Sequence, residues 1–211
     1  LAPDQLFGGV EEGHLALPGK YSVSLSKFDD GILTELVAPV SFSFKLLEQG
    51  SIPTDMNNNV QFYKQVTEIR LAVTAANDLV NNMDQRIKNI QIAALDMPAS
   101  AKAVLEKNVS ISKQLAEVKI KLFGDQSKAR RDFETLPSIN ERVSGIEGSV
   151  WSSTAPIPKT FKDSYAIAAK QFSPLLDELK AIDNAIEQLE KELEINNAPY
   201  TSGRWPDWKG N

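Results

Sequence analysis

The sequence predicts an α+β fold, in which a small β piece precedes an antiparallel bundle of three long helices and one short helix. Three observations predict it: two long hydrophobic seams with helical spacing, two segments that alternate apolar and polar residues, and the prolines and glycines that separate these stretches. We expect three parts, a β piece at residues 1–50, a helical bundle at 54–196 and an aromatic tail at 197–211.

Two seams of ten apolar residues each carry the helical prediction. Spacings of three and four alternate, and a mean spacing of 3.5 keeps one stripe facing a neighbouring helix along its length. The first seam is Phe62, Val66, Ile69, Val73, Ala76, Val80, Met83, Ile87, Ile90 and Ala94. The second seam is Phe161, Tyr165, Ala168, Phe172, Leu175, Leu179, Ile182, Ile186, Leu189 and Leu193.

The ends of the first two helices follow from local signals. Thr54 or Asp55 can cap the first helix, and Pro98 should end it near Met97. A second helix, from about Ser100 to Phe123, should run antiparallel to the first after a short corner. Gly124 is expected to end it.

Asn108 falls on the apolar stripe of the second helix. A buried Asn can fix the register of packed helices, whereas a phase error of one residue places it at the edge of the stripe. We expect the edge position.

Two further helices follow a charged connector at residues 125–137. Ser138 and Glu141 have the spacing of a capping box, which predicts a short helix to about Val150. The last long helix should run from about Pro158 to Ile195. Because the seam keeps its phase across Pro174, we expect a kink there rather than two separate helices.

Residues 18–47 alternate as strands do. The segments 18–26 and 40–46 each predict one buried and one wet face, and Asp29-Asp30-Gly31 predicts a hairpin turn. Ile32–Val37 either extends the first arm or forms its own strand. The P-G-x-Y-x-V-x-L pattern resembles the last strands of immunoglobulin-like sandwiches. Either residues 1–17 and the helices cover the apolar face, or earlier strands lie upstream of Leu1.

Composition narrows the class of protein. A net charge of −5 and a pI near 5.1 argue against nucleic acid or an anionic membrane as the main partner. The chain has no cysteine, which excludes disulfides and thiolate chemistry. No apolar window is long enough for a membrane span. A start at Leu1 without a signal peptide suggests a fragment or a processed form.

The sequence contains no recognisable catalytic, cofactor or metal-binding constellation. His14 is the single histidine, and the sequence lacks nucleotide-binding glycine motifs and calcium loops. Adjacent carboxylates at 11–12 and 29–30 do not face one substrate as an acid and a base must. The acidic run Glu187, Glu190, Glu192 and Glu194 is expected to form a solvated face. We therefore expect a chain without catalytic residues, cofactor or metal.

One set of aromatic residues could stack on a sugar ring. It consists of Trp151, Tyr200, Trp205 and Trp208. Because exposed tryptophans on a tail are costly, we expect the tail to dock on the bundle or on the strands.

The order of these parts resembles one family. The strand pair and the helical hairpin are followed by L-P-S-I-N-E-R-V at 136–143, A-P-I-P at 155–158 and P-Y-T-S-G-R-W-P-D-W at 199–208. This order resembles the C-terminal region of secreted bacterial proteins with BNR (Asp-box), sortilin-like β-propellers. Those proteins are often labelled glycosyl hydrolases. The Asp-box itself is absent. The resemblance implies a non-catalytic, extracytoplasmic accessory module whose partner is an upstream propeller of the same polypeptide.

Two alternatives remain open at this stage. The chain could be a free-standing interaction or adhesion protein whose bundle associates with itself or with a partner helix. It could also bind a glycan through the aromatics of its tail.

Overall fold

The computed structural model describes residues 16–45, 54–97, 101–150, 155–202 and 204–205. The chain divides into two compact units, one of residues 1–65 with 148–158 and one of 66–147 with 159–211. His14 and the adjacent carboxylates at 11–12 lie outside the described residues, so the structure does not test the predictions made for them.

The α+β class is confirmed, since the described residues are mostly helical and also form a small antiparallel sheet. The elements in order are β1 (Gly19–Asp29), β2 (Ile32–Phe44), α1 (Met56–Leu95), α2 (Ala101–Phe123), α3 (Gln126–Ala129), α4 (Ile139–Val150) and α5 (Lys159–Ile195).

Strands β1 and β2 form an antiparallel hairpin in the first unit. Asp30 and Gly31 make the two-residue turn with φ angles of 46° and 77°, the left-handed conformation that suits the strand twist. Ile32 therefore begins the second strand, which continues to Phe44. The register shifts on both sides of Leu25, so that Ala38-Pro39 lie against Ser24 and Leu36 has no residue opposite it.

The expected buried face of the strands is not found. Every residue of β1 and β2 is exposed, and the described part of the chain holds no third strand on this sheet. Alternation in the sequence identifies which face is apolar, but the cover for that face must come from another element. The immunoglobulin-like identity of the β piece stays a prediction, because the described residues contribute two strands only.

Helix α1 begins as predicted, with Asp55 as its cap. The Asp55 carboxylate accepts hydrogen bonds from the backbone N–H groups of Asn57 at 3.0 Å and Asn58 at 3.2 Å. Also in the first unit, the buried Asn59 donates its amide to the carbonyl of Ala155 at 2.8 Å.

The second unit has a core to which α1, α2, α4 and α5 all contribute. All ten residues of the first seam are buried, as are the last eight of the second. On α2 the buried apolar residues are Val104, Ile111, Leu115, Val118 and Leu122. Burying each of these large side chains contributes roughly 1.5 to 3 kcal/mol, which explains why the seams admit no polar residue.

Three ion pairs and one hydrogen bond in the second unit show the directions of the long helices. Residue pairs Asp84–Lys119 and Ile87–Asn108 join α1 to α2, and Lys121–Glu178 and Lys107–Glu192 join α2 to α5. In both sets, numbers rise on one helix as they fall on the other. Helix α2 therefore lies antiparallel to both α1 and α5.

Short-range signals mark the connector between α2 and α4. Gly124, at φ 81°, donates its N–H to the carbonyl of Ile120 and ends α2 as predicted. The capping box of α4 is present: the Ser138 N–H donates to the Glu141 carboxylate at 2.7 Å, and the Glu141 N–H donates to Ser138 Oγ at 3.3 Å. The four-residue α3, which the sequence did not predict, lies between them.

Helix α5 continues through Pro174 as one helix. Proline lacks the N–H that would donate to the preceding turn, so the apolar stripe on both sides must hold the helix together. Phe172 and Leu175 flank the proline and are both buried.

The expected edge position of Asn108 is wrong. Its side chain is 3% exposed, and its amide donates to the carbonyl of Ile87 at 3.1 Å. The Oδ1 atom is buried without a hydrogen-bond partner among the described residues. The stripe of α2 therefore includes a polar residue that satisfies only part of its hydrogen-bonding capacity.

Candidate functional site

One face of the hairpin carries an apolar row of seven side chains. Pairing joins Tyr21 to Phe42, Val23 to Val40 and Leu25 to Val37, with Phe44 opposite Gly19. Paired residues share a face of the sheet, so these seven lie together. The apolar row is Tyr21, Val23, Leu25, Val37, Val40, Phe42 and Phe44.

Aromatic contacts organise one end of the apolar row. The ring of Tyr21 stacks on Phe42 with centroids 6.0 Å apart and meets Phe44 edge-on at 6.4 Å. The Tyr21 hydroxyl donates to the carbonyl of Leu17 at 2.6 Å. These contacts fix the aromatic side chains in place without covering their outer surface.

The apolar row remains open to solvent. Its side chains are 37% to 59% exposed. Half of the surface of seven such side chains is on the order of 600 Å², which equals or exceeds the largest apolar patch of a typical monomer. A patch of this size is characteristic of an interaction surface.

The opposite face of the hairpin is polar. Ser22 pairs with Ser41, Lys20 with Ser43 and Ser26 with Glu35. Near the turn, Phe28 pairs with Leu33 on the same face, at 73% and 69% exposure. The hairpin is therefore two-sided along most of its length, with serines on one side and the apolar row on the other.

The tail leaves α5 through an ordered turn. Asn197 takes φ 52°, and the Ala198 N–H donates to the carbonyl of Leu193 at 2.9 Å. Arg204 turns back, donating from Nη1 to the carbonyl of Pro199 at 2.7 Å, and its side chain is only 7% exposed. Thr201 is buried as well.

The predicted aromatic set is not brought together in the described residues. Tyr200 is 62% exposed and Trp205 is 92% exposed, so neither ring packs as expected. The tail is held through Arg204 and Thr201 instead, since their side chains are the buried ones. Trp151 and Trp208 lie outside the described residues.

An ion cluster that the sequence did not indicate joins α1 to α5. Arg86 donates to both carboxylate oxygens of Glu190, at 2.9 and 2.7 Å, and to Asp183 at 2.6 Å. The hydrogen bond to Glu190 is the largest cause that raises the pKa of Arg86. Glu190 is 8% exposed, so the expectation of a solvated acidic face is wrong at this residue, whereas Glu187 and Glu194 are exposed as expected. Lys107 pairs with Glu192, and Glu194 lies 3.7 Å from Arg204.

In a second ion cluster, two lysines surround Asp84. Lys119 on α2 and Lys88 on α1 both hold its carboxylate at 2.7 Å. The hydrogen bond from Lys119, followed by that from Lys88, lowers the pKa of Asp84. These groups are fully paired with one another, which is the arrangement of a structural ion pair rather than of an acid–base catalyst.

A groove of about 690 Å³ lies in the second unit, between α2, α5 and the segment before α4. Ile120, Leu136 and Ile167 line it with exposures of 49%, 87% and 40%. Lys121, Lys170 and Glu178 also line it. Among the described residues that line the groove there is no histidine, cysteine or pair of carboxylates that could perform acid–base or metal chemistry.

The described residues show neither a metal-binding cluster nor a membrane-spanning helix. No group of three or more His, Asp or Glu side chains there could hold a metal ion. None of the helices in the described ranges is both long and apolar enough to cross a bilayer.

Comparison with known proteins gives no relative: no family model, no curated protein and no solved structure matches the chain.

Proposed function

We propose that the chain is a non-catalytic accessory module that docks through the apolar row of its hairpin. The larger protein would be extracytoplasmic, with an upstream β-propeller of the glycoside-hydrolase-like kind, as the resemblance of the motifs implies. The observation that carries the proposal is the exposure of the apolar row, 37% to 59%, on a sheet of two strands.

The physical argument begins with the sheet. A two-stranded hairpin is marginal in water, and it gains stability when its apolar face packs on a second sheet about 10 Å away. The row presents aromatic and β-branched side chains, which pack well against another pleated surface. A β domain of the same polypeptide supplies such a surface, and it would complete the immunoglobulin-like sandwich.

The helical part supports a bracing role. The first seam and the last eight residues of the second are buried to 8% exposure or less, and ion pairs from Arg86, Lys119 and Lys121 join the long helices. A rigid bundle in the same chain as a docking hairpin suits a module that fixes the position of a neighbouring domain or mediates assembly.

The size of the native polypeptide tests the proposal. An antibody raised against residues 54–196 is used to blot the cytoplasmic, periplasmic and secreted fractions of the source cell. We expect a band far above 23.3 kDa in an extracytoplasmic fraction. A band near 23.3 kDa would contradict the proposal and favour a free-standing interaction protein.

Hydrogen exchange sharpens the same test. The amides of β1 and β2 should exchange quickly in the chain alone and slowly in the native polypeptide, because docking covers the sheet. Equal exchange in both samples would show that the hairpin does not dock.

One observation favours a second candidate, carbohydrate binding by the tail. Trp205 is 92% exposed and follows the buried side chain of Arg204, so its ring is held outward on an anchored segment. An indole presented in this way can stack on a sugar ring.

Replacement of this indole tests the second candidate. Trp205→Ala should abolish retention on a glycan array while changing the free energy of unfolding by less than about 0.5 kcal/mol. Leu136→Ala, at another exposed apolar residue, is the matched control and should leave retention unchanged. Unchanged glycan retention by Trp205→Ala would exclude the tail as the binding site.

A further inference from the structure

The two outer edges of the hairpin differ in their capacity to accept another strand. Strand β2 contains Pro39, which has no N–H, and both register shifts add their extra residues to β2. Prolines and bulges are the devices by which natural sheets block edge pairing. Strand β1 runs for 11 residues without proline, and among the described residues it pairs with β2 alone.

We propose that the outer edge of β1 pairs antiparallel with β1 of a second copy of this chain. The product is a four-stranded sheet in the order β2-β1-β1-β2, with a two-fold axis at Ser24. This surface is the edge of the strand rather than its apolar face, so the inference goes beyond the proposed function and does not depend on it.

The sequence of β1 is complementary to itself in the register that overlaps the whole strand. In that register Ser24 faces its own counterpart, Val23 lies beside Leu25, and Ser22 lies beside Ser26. Toward the ends, Lys27 lies beside Tyr21 and Lys20 beside Phe28, where an ammonium can rest on an aromatic face. No two like charges face each other, and the apolar and polar faces both continue across the axis.

Pairing of this kind would stabilise the hairpin. Sheets of three or more strands with a hydrophobic face reach independent stability, and the dimer has four strands. Because the β2 edges on the outside are blocked by Pro39 and the bulges, assembly closes at two copies rather than continuing into a fibre.

Sedimentation of the full chain gives the first test. The proposal predicts a concentration-dependent equilibrium between a species of 23.3 kDa and one of twice that mass. Ser24→Lys, which places two ammonium groups opposite each other at the axis, should raise the dissociation constant roughly tenfold or more. Ser41→Lys adds the same charge to the same face on β2 and should leave it unchanged.

Cross-linking gives the second test and does not depend on tight association. The chain has no cysteine, so Ser24→Cys introduces a single thiol. Opposite residues of an antiparallel pair lie within the Cα separation that a disulfide spans. Under mild oxidation we expect Ser24→Cys to form a covalent dimer at least about tenfold faster than the control Ser41→Cys.

Each outcome decides the proposal. Selective cross-linking at Ser24, together with a dimer that Ser24→Lys weakens, supports edge pairing. Equal cross-linking of the two cysteine variants overturns it, as does a dimer that Ser41→Lys disrupts equally, since association would then use another surface. A chain that sediments as a monomer up to millimolar concentration also overturns it. None of these results depends on the size of the native polypeptide.

Discussion

The helical seams and the hairpin row are both regular apolar patterns, yet they have opposite outcomes in the folded chain. The first seam is buried to 8% exposure or less, whereas every side chain of the apolar row is at least 37% exposed. A helix seam finds its partner in the same chain, because three long helices supply one another with apolar faces. A two-stranded sheet has no such partner within the described residues.

A matched pair of leucines tests whether the seams and the apolar row differ in burial in solution. Leu115 on α2 is 1% exposed and Leu25 on β1 is 57% exposed. We expect Leu115→Ala to lower the free energy of unfolding by about 2 to 5 kcal/mol, because it leaves a cavity in a packed core. Leu25→Ala should cost less than about 1 kcal/mol.

Urea denaturation followed by circular dichroism measures both variants. A loss for Leu25→Ala as large as that for Leu115→Ala would mean that the hairpin row is covered in solution. The contrast between the two regions would then disappear.

The ion cluster allows the contribution of charge to stability to be separated from that of apolar burial within the helices. Arg86→Met leaves the 8%-exposed Glu190 without its cation, and we expect a loss of about 3 kcal/mol in the free energy of unfolding. The double variant Arg86→Met/Glu190→Leu removes both charges and should recover most of that loss.

Thermal unfolding of Arg86→Met, of Glu190→Leu and of the double variant completes this double-mutant cycle. If the double variant is as unstable as Arg86→Met, the cost arises from lost packing of the arginine side chain, and the charge argument is wrong.

Local signals in the sequence were sufficient for most of the fold. The alternation of spacings three and four predicted the long helices, and Gly124 and the Ser138–Glu141 box predicted helix ends, because each acts through its own neighbours in the chain. The burial of Glu190 could not be predicted, since it depends on Arg86 more than 100 residues away. The position of Asn108 depends on the phase of α2 against α1, which one residue of drift reverses.

For the candidate docking surface, the sequence predicts which residues share the apolar face but not whether that face is covered. The alternation of β1 and β2 correctly identified the apolar face, but no sequence pattern states whether another element covers it. The aromatic tail posed the opposite problem: burial was expected at Trp205, yet the buried groups are Arg204 and Thr201, whose polar side chains gave no such signal.

Asn108 tests whether the helical core is optimised for stability throughout. Asn108→Leu should raise the free energy of unfolding by about 1 kcal/mol, because it removes a buried Oδ1 that has no hydrogen-bond partner in the described part of the chain. Since a single buried Asn can fix the register of packed helices, the variant should also show faster amide exchange in α2. A loss of stability instead would mean that the hydrogen bond to the Ile87 carbonyl outweighs the cost of burying the amide.

The smallest expected effect concerns acid and the capping box of α4. The Ser138 backbone N–H, followed by its hydroxyl, lowers the pKa of Glu141. Because the folded-state pKa lies below the unfolded one, this contribution to stability is present above the ordinary glutamate pKa and is lost as pH falls through the lowered value. The urea midpoint should therefore decrease less between pH 7 and about pH 3 in Glu141→Gln than in the unchanged protein. The glutamine keeps an oxygen acceptor for Ser138 but cannot titrate there. An identical pH dependence in both proteins would show that other carboxylates, foremost Asp84 with its own lowered pKa, account for the acid sensitivity of the helical region.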